Sequence, residues 1–299
     1  MNVLIMIMGC NCEPGARNIE AILNTYIKSY YNNKNLFKHN YDFIVYKGGF
    51  SEVKLNNNIL HLTSPDDIKS TFMKTLEAFR FVENYNFDYI VRINISTYLN
   101  LFMLDNSIEL FDKNNIYCNA ICVYTDSLKY KNFIFPRGDA YIMHKDLFLN
   151  ILNNQYDPYS DDLYGIDNTD DSMFGLLCNN YFKNDLHNHI KLLRYAFIPY
   201  EYDKIDNYYI KLSACVIFSR IKTCPPNTHS GYSWEDNIYR LHDVKKFNIL
   251  NIYNYNVKNT NIDIIFDDND DREFYIRNND NGYDPVTFNN IKKMLDERR

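Results

Sequence analysis

The chain has 299 residues, of which 46% are hydrophobic and 23% charged, so it is long enough to bury one large core or two small ones. Its formal net charge of −6 argues against a nucleic-acid-binding protein, because such a protein needs a basic surface facing the phosphates. The composition is skewed towards Asn and aromatic residues, with 27 Tyr and 20 Phe. Either an AT-rich genome or a functional Asn- and Tyr-rich surface would produce this skew, so functional residues are sought among Gly, Arg, Pro, His and paired acids.

Features of secreted and membrane proteins are missing from the sequence. No segment has the length of a membrane span, and the apolar run at 3–8 is too short for the core of a signal peptide. The seven cysteines, two of them in Cys10-x-Cys12, are then expected to be free thiols in a reducing compartment. These features predict a cytoplasmic protein without a membrane span.

The first elements in chain order form a strand–helix–strand unit. A strand at 2–8 is followed by a loop that begins at Gly9, a helix from Arg17 to Tyr30, and a second strand at 41–46. This order is typical of a parallel βαβ unit, whose functional loops lie at the carboxyl ends of the strands. Gly9 and Arg17 lie at such an end.

A second helix is predicted from its N-terminal signals. Ser64 provides an N-cap and Pro65 a first helical residue, with acids in the first turn. Ile68 and Phe72 then begin an apolar face at helical spacing, and the helix is expected to end near Asn84.

The remaining predicted elements continue an α/β pattern. They are strands at 87–93 and 116–124, helices at 145–152 and 172–181, strands at 193–198, 212–218 and 262–266, an acidic turn at 267–271 and a final helix at 288–298. The sequence contains no repeat and no linker rich in Pro, Gly or Ser. We therefore expect one domain at 1–250 and a C-terminal extension at 251–299, a hairpin and the final helix, packed on it.

Signatures of several common enzyme classes do not occur in the sequence, among them the Walker A loop, G-x-G-x-x-G, H-E-x-x-H and G-x-S-x-G. What remains is an ordered series of short motifs. In chain order these are Lys74-Thr75 on a helix, Asn94-Ile95-Ser96 at the end of a strand, Arg137-Gly138-Asp139 before a short helix, and Asp170-Asp171 four residues before Gly175. Over residues 70–180 this series resembles the fringe-like and β-1,3-galactosyltransferase group of glycosyltransferases.

The resemblance implies a GT-A-like, Rossmann-like α/β fold with a central mixed, mostly parallel sheet flanked by helices. It implies transfer of a sugar, with inversion, from a UDP- or GDP-linked donor to a hydroxyl of a glycan or glycoconjugate. Asp171 would be the base that deprotonates this hydroxyl, with Asp170 assisting it or binding the acceptor, because adjacent carboxylates raise each other's pKa. Acids are also common at helix N-termini for structural reasons alone.

The sequence departs from this group where the group carries an acidic metal-binding motif. Asn94 and Ser96 stand there, and both are neutral and therefore poor ligands for Mn²⁺ or Mg²⁺. Three explanations stay open: catalysis without a metal, a metal held by other groups, for which His242 is the candidate, or a protein that binds a nucleotide or glycan without catalysis. Asn94 and Ser96 would then bind hydroxyls of the donor.

Without a metal, cationic side chains must stabilise the charge that builds on the departing nucleoside diphosphate. Arg17, Lys74 and Arg92 are the predicted donor-binding cations. Arg92 is the strongest candidate, because an arginine within an apolar strand is costly to bury unless an acid or a phosphate pairs with it. The segment Arg137-Gly138-Asp139 is the predicted acceptor-binding segment. A metal-dependent phosphoesterase using Asp170, Asp171 and the acids at 267–271 is a further alternative, but the usual His and Asp spacing is missing.

Overall fold

The structure is a computed structural model that describes residues 1–13, 15–124, 133–154, 170–193, 195–197, 217–220, 273–277 and 283–287. Several predictions lie outside these residues: the strand at 262–266, the acidic turn at 267–271, the final helix at 288–298, His242 as a metal ligand, and all but the last two residues of the strand at 212–218. Within the described part, no helix has the length and apolar character needed to cross a membrane.

Fifteen strands are described. They are β1 (Asn2–Met8), β2 (Asn40–Lys47), β3 (Lys54–Asn56), β4 (Ile59–His61), β5 (Tyr89–Asn94), β6 (Thr97–Leu99), β7 (Ile116–Cys118), β8 (Ile121–Tyr124), β9 (Phe133–Pro136), β10 (Ala140–His144), β11 (Ile190–Leu192), β12 (Tyr195–Phe197), β13 (Phe218–Arg220), β14 (Glu273–Arg277) and β15 (Tyr283–Thr287).

The α-helices of the described part are α1 (Gly15–Ile22), α2 (Lys28–Asn32), α3 (Thr71–Val82), α4 (Leu101–Ser107), α5 (Lys145–Leu152), α6 (Asp170–Tyr181) and α7 (Leu186–His189). A π-helical stretch, Leu23–Ile27, joins α1 to α2, so that together they replace the single helix predicted from Arg17 to Tyr30. Single 3₁₀ turns occur at Lys34–Leu36 and Ile108–Leu110.

Eight strands form the central sheet, in the order β11-β7-β10-β5-β1-β2-β4-β3. β1 is parallel to β2 and to β5, β2 is parallel to β4, and β11 is parallel to β7. β10 runs antiparallel between β5 and β7, and β3 pairs antiparallel with β4 at the edge. The sheet is therefore mixed and mostly parallel, as predicted.

Helices cover both faces of this sheet. The central strands are apolar on both faces, and successive side chains belong to two different hydrophobic clusters, one on each face. Leu4 and Met6 of β1 pack with Phe79 of α3 and with residues of α5 and α6. Ile5 and Ile7 lie in the other cluster, with residues of α1, α2 and α4. Both clusters are apolar, as expected for strands that are buried on two faces.

Two smaller sheets accompany the central one, in the orders β12-β13-β6 and β15-β14-β8-β9. The strand predicted at 116–124 is divided between sheets: β7 pairs in the central sheet and β8 in the second small one. At the division, the Ala120 carbonyl accepts a hydrogen bond from the Arg137 amide at 2.9 Å, which continues the pairing of β8 with β9. β14 pairs with β8 at Arg277 and Tyr124, and the boundary expected at 250 stays a prediction.

The predicted start of the helix at Ser64 is wrong, since α3 begins at Thr71. The polar groups that signal a helix start make tertiary contacts instead. The Ser64 hydroxyl donates to Glu77 at 2.5 Å, and the Asp66 carboxylate accepts from the Asn11 amide at 2.6 Å. Ile68, which we expected on the apolar face, is consequently 75% exposed.

Candidate active site

The predicted site residues gather at the carboxyl ends of β1 and β5. Because β10 is antiparallel to β5 and pairs Ala140 with Ile93, the turn at 137–139 lies beside the end of β5. There the Asn94 amide donates to the Asp139 carbonyl at 2.9 Å. The first residue of α6, Asp170, reaches the same place through contact with Arg92. Three motifs that are far apart in sequence thus meet.

Arg92 is buried between the central sheet and the start of α6. Its side chain has no exposed area, one terminal nitrogen (Nη2) forms an ion pair with the Asp170 carboxylate, and the other (Nη1) donates to the Gly138 carbonyl. The Tyr141 ring lies 5.7 Å from the centre of the guanidinium. Burial alone would lower the pKa of Arg92, but the Asp170 carboxylate holds it above its ordinary value. Asp170 therefore pairs with Arg92, and a contact of Arg92 with the donor stays a prediction.

Asp170 is also buried, with further contacts on the side away from Arg92. The Thr75 hydroxyl donates to Asp170 at 2.8 Å and lies 3.1 Å from the hydroxyl of Tyr46. Burial raises the pKa of Asp170 above that of an ordinary aspartate, and Arg92 opposes the shift. Sequence reasoning singled out Thr75 only as part of a motif and missed Tyr46, which no local pattern distinguishes from other strand tyrosines.

Asp171, the next residue along α6, is partly exposed. One of its carboxylate oxygens accepts from the Gly138 amide at 3.2 Å, and the other accepts from the Ser172 amide at 3.1 Å. The approach is close, because a Cβ added at Gly138 would lie 3.1 Å from the Cβ of Asp171. A substrate hydroxyl can therefore reach Asp171 more readily than Asp170.

The turn at 137–139 carries its own ion pair. The Nε of Arg137, which is partly exposed, donates to the buried carboxylate of Asp139 at 2.5 Å. The Asp139 carbonyl also accepts from the hydroxyl of Thr97 at 3.0 Å. The predicted acceptor-binding segment is thus fixed to β5 and to the start of β6, and acceptor binding there stays a prediction.

Lys74 of α3 holds the loop after β1. Its ammonium donates to the Gly9 carbonyl at 2.8 Å and to Asp66 at 2.7 Å, and its side chain is buried. Burial alone would raise the pKa of Asp66, but hydrogen bonds from Lys74 and from the Asn11 amide hold it below its usual value. Sequence reasoning placed Asp66 in a helix turn and missed this contact, for which the sequence offers no signal.

The other predicted donor-binding residues differ in exposure. The Arg17 side chain is exposed and pairs with Glu13 at 2.9 Å, one turn earlier in sequence. Asn94 is half-buried and Ser96 is buried, and the Ser96 amide donates to the Asn94 side chain at 3.4 Å. Their roles in donor binding stay predictions.

The side chains at the end of β5 do not fit a divalent cation. Asn94 and Ser96 are neutral, and the nearby Asp139 carboxylate is engaged by Arg137. Across the described residues, no three His, Cys, Asp or Glu side chains form a group that could hold a metal ion.

Two thiols lie in the loop after β1, and we expect them to differ in reactivity. The sulfurs of Cys10 and Cys12 are 3.4 Å apart, and burial raises the pKa of Cys10 to about 12, whereas Cys12 is exposed. Only a thiolate attacks a disulfide reagent, so Cys10 is expected to be unreactive near pH 8. Thiol titration with an aromatic disulfide should lose a fast-reacting group in Cys12→Ser but not in Cys10→Ser. Equal losses in both variants would contradict this expectation.

No protein-family model and no curated protein matches the chain. Among solved structures it is similar to a mutant of Drosophila β1,4-galactosyltransferase 7 in complex with manganese, UDP-Gal and xylobiose, with 12% identity, a TM-score of 0.33, and coverage of 61% of this chain and 63% of that chain. It is also similar to the galactosyltransferase LgtC in complex with donor and acceptor sugar analogs, with 12% identity and a TM-score of 0.38. The match covers 81% of this chain and 95% of that chain.

A third similar structure is 4-diphosphocytidyl-2C-methyl-D-erythritol synthase from Anaerococcus prevotii, with 11% identity, a TM-score of 0.36, and coverage of 64% of this chain and 88% of that chain. The chain spans less than two thirds of the galactosyltransferase 7 structure. The identities and TM-scores are low and the names describe different activities, so the function has to be inferred from the site itself.

Proposed function

We propose that this protein is a GT-A-like glycosyltransferase that moves a sugar from a UDP- or GDP-linked donor to a hydroxyl of a glycan or glycoconjugate, with inversion at the sugar. Asp171 is the base: it takes the proton of the acceptor hydroxyl while that oxygen attacks the sugar carbon. The bond to the nucleoside diphosphate breaks at the same time, and the diphosphate leaves with the bonding electrons.

One observation carries this proposal: the two adjacent carboxylates at the start of α6 lie in different environments. Asp170 is buried against Arg92, whereas Asp171 is partly exposed beside the turn at 137–139. Neighbouring acids in unlike surroundings commonly divide structural and proton-transfer roles between them. The order of the motifs in the sequence supports sugar transfer as the reaction in which Asp171 takes the proton.

The site offers groups for both substrates at one edge of the sheet. Arg17, Lys74, Asn94 and Ser96 are proposed to bind the donor, Lys74 through the loop at Gly9 that its ammonium holds. The segment Arg137-Gly138-Asp139 is proposed to bind the acceptor. In parallel α/β sheets, ligands bind outside the carboxyl ends of the strands, which is where these groups lie.

The test is transfer by the wild-type protein and Asp171→Asn across a panel of UDP- and GDP-sugars with sugar acceptors. Removing a general base is expected to lower kcat by about 10²–10⁴-fold. Binding of the nucleotide, measured by calorimetry, should change little, because the proton is transferred only in the reaction. Asp146→Asn is the matched control, since Asp146 is an exposed acid in the first turn of α5 and loses the same charge near a helix N-terminus.

Two results would contradict the proposal. Equal turnover by wild type and Asp171→Asn would remove Asp171 from the role of base. Nucleotide-sugar binding by the wild type without turnover would favour the alternative of a nucleotide- or glycan-binding protein without catalytic activity.

A further inference from the structure

We infer that Arg92 is a positioning residue, which sets the distance between the Asp171 carboxylate and the turn at 137–139 instead of binding the donor. The inference rests on the proposed role of Asp171 as the base. It gives a second function to an ion pair that would otherwise only support the core.

The first argument is where Arg92 lies. It is the fourth residue of β5, between Met6 of β1 and Tyr141 of β10, and none of its side chain is exposed. Both terminal nitrogens are already bound, so a donor diphosphate would have to displace Asp170 or the Gly138 carbonyl to reach them. A buried guanidinium needs charged or hydrogen-bonding partners, and Asp170 and the Gly138 carbonyl supply them.

The second argument is that the guanidinium joins two separate segments. One terminal nitrogen binds Asp170, the first residue of α6, and the other binds the Gly138 carbonyl in the turn. A guanidinium is planar and rigid, so these two contacts fix the helix start relative to the turn. The ammonium of a lysine has no such fork.

The third argument is that the same turn touches Asp171. The carbonyl of Gly138 accepts from Arg92, and the amide of Gly138 donates to Asp171 at 3.2 Å. Arg92, Asp170, Asp171 and Gly138 therefore form a closed ring of contacts. The Thr75 hydroxyl strengthens this ring by donating to the second oxygen of Asp170 at 2.8 Å.

The burial of Arg92 has a cost for stability, because an unsatisfied buried donor is unfavourable. The Nε of Arg92 is buried, and it has no hydrogen-bond partner among the described residues. Buried ion pairs often stabilise a fold less than apolar residues of similar size. Positioning a reacting group is a reason to retain one, because small displacements of catalytic groups cost about 10²-fold in rate.

The test uses Arg92→Lys, which keeps the positive charge but loses the planar pair of nitrogens that binds Asp170 and Gly138 at the same time. Arg80→Lys is the matched control, because Arg80 lies at the surface on α3. Calorimetry with UDP and with GDP gives the nucleotide Kd and the number of binding-competent molecules, and kcat is expressed per such molecule. This correction removes any loss that comes from unfolded protein.

For Arg92→Lys we expect kcat to fall by about 10–10²-fold, with the nucleotide Kd and the acceptor KM within about threefold of wild type. Gly138→Ala should also lower kcat and leave the nucleotide Kd unchanged with Arg92 intact, because the new Cβ would lie 3.1 Å from the Asp171 Cβ and 3.3 Å from its Cγ. Arg80→Lys should match wild type.

Two kinetic results would overturn the inference. A tenfold or greater rise in nucleotide Kd with unchanged kcat would place Arg92 on the donor, and unchanged kcat and Kd would leave it no role in the reaction. If the wild type transfers no sugar, the proposed function fails. Crystal structures of wild type and Arg92→Lys then test the positioning role of Arg92 without any measurement of activity. A longer distance between the Gly138 amide and the Asp171 carboxylate in the variant supports positioning, and an unchanged distance overturns it.

Discussion

Replacing Arg92 by methionine is expected to lower the free energy of unfolding by about 3–5 kcal/mol, because one partner of a buried ion pair is removed and the other stays. Asp170 would then keep a carboxylate that is 4% exposed, with the Thr75 hydroxyl as a neutral partner. The Gly138 carbonyl would lose its donor as well. Urea denaturation followed by circular dichroism measures the change.

A double variant separates the charge from the packing. Arg92→Met combined with Asp170→Leu removes both charges and replaces them with apolar groups of similar length, so it should recover most of the stability that Arg92→Met loses. The control is Arg80→Met: its arginine is 47% exposed, and its contacts with Glu83, Asn153 and the Leu152 carbonyl lie at or near the surface, so the expected change is about 1 kcal/mol. A similarly small change for Arg92→Met would show that the buried pair does not support the fold.

Replacing Gly48 by alanine is expected to destabilise the protein by about 1–3 kcal/mol, because the added methyl group has no space. A Cβ at Gly48 would lie 2.3 Å from the Ser64 carbonyl oxygen and 2.9 Å from that of Pro65. Both are backbone atoms, so a rotamer change cannot relieve the contact. The chain at 64–65 would have to move away from the end of β2.

Gly9→Ala is the matched control for Gly48→Ala. A Cβ at Gly9 would lie 2.8 Å from Cδ1 of Ile19, which is the far end of a flexible side chain and can rotate away. We expect Gly9→Ala to cost about 1 kcal/mol or less, near the middle of the range for single substitutions. Thermal unfolding of the two variants compares them directly, and an equal loss for both would contradict the clash at Gly48.

Local patterns in the sequence predicted four strands of the central sheet, β1, β2, β5 and β7, whereas β3, β4, β10 and β11 were not predicted. The apolar run at 2–8 and the aromatic, β-branched run at 87–93 became β1 and β5, because alternating burial on two faces leaves a clear pattern. The start of α3 was predicted wrongly, because Ser64 and Asp66 have the residue types of a helix cap but bind Glu77 and Asn11. Capping signals are local, and tertiary hydrogen bonds can override them.

The sequence by itself determined that a charged residue, Arg92, lies in an apolar strand and that two acids open a later helix. It did not determine which partner Arg92 takes, because Asp170 is 78 positions away and a phosphate would satisfy the same charge. Only the antiparallel placement of β10 beside β5 brings Gly138 into contact with both Arg92 and Asp171. In that arrangement Asp171, rather than Asp170, lies within reach of a substrate. Residue types come from the sequence, whereas the pairing of distant charges depends on strand order, which no local pattern encodes.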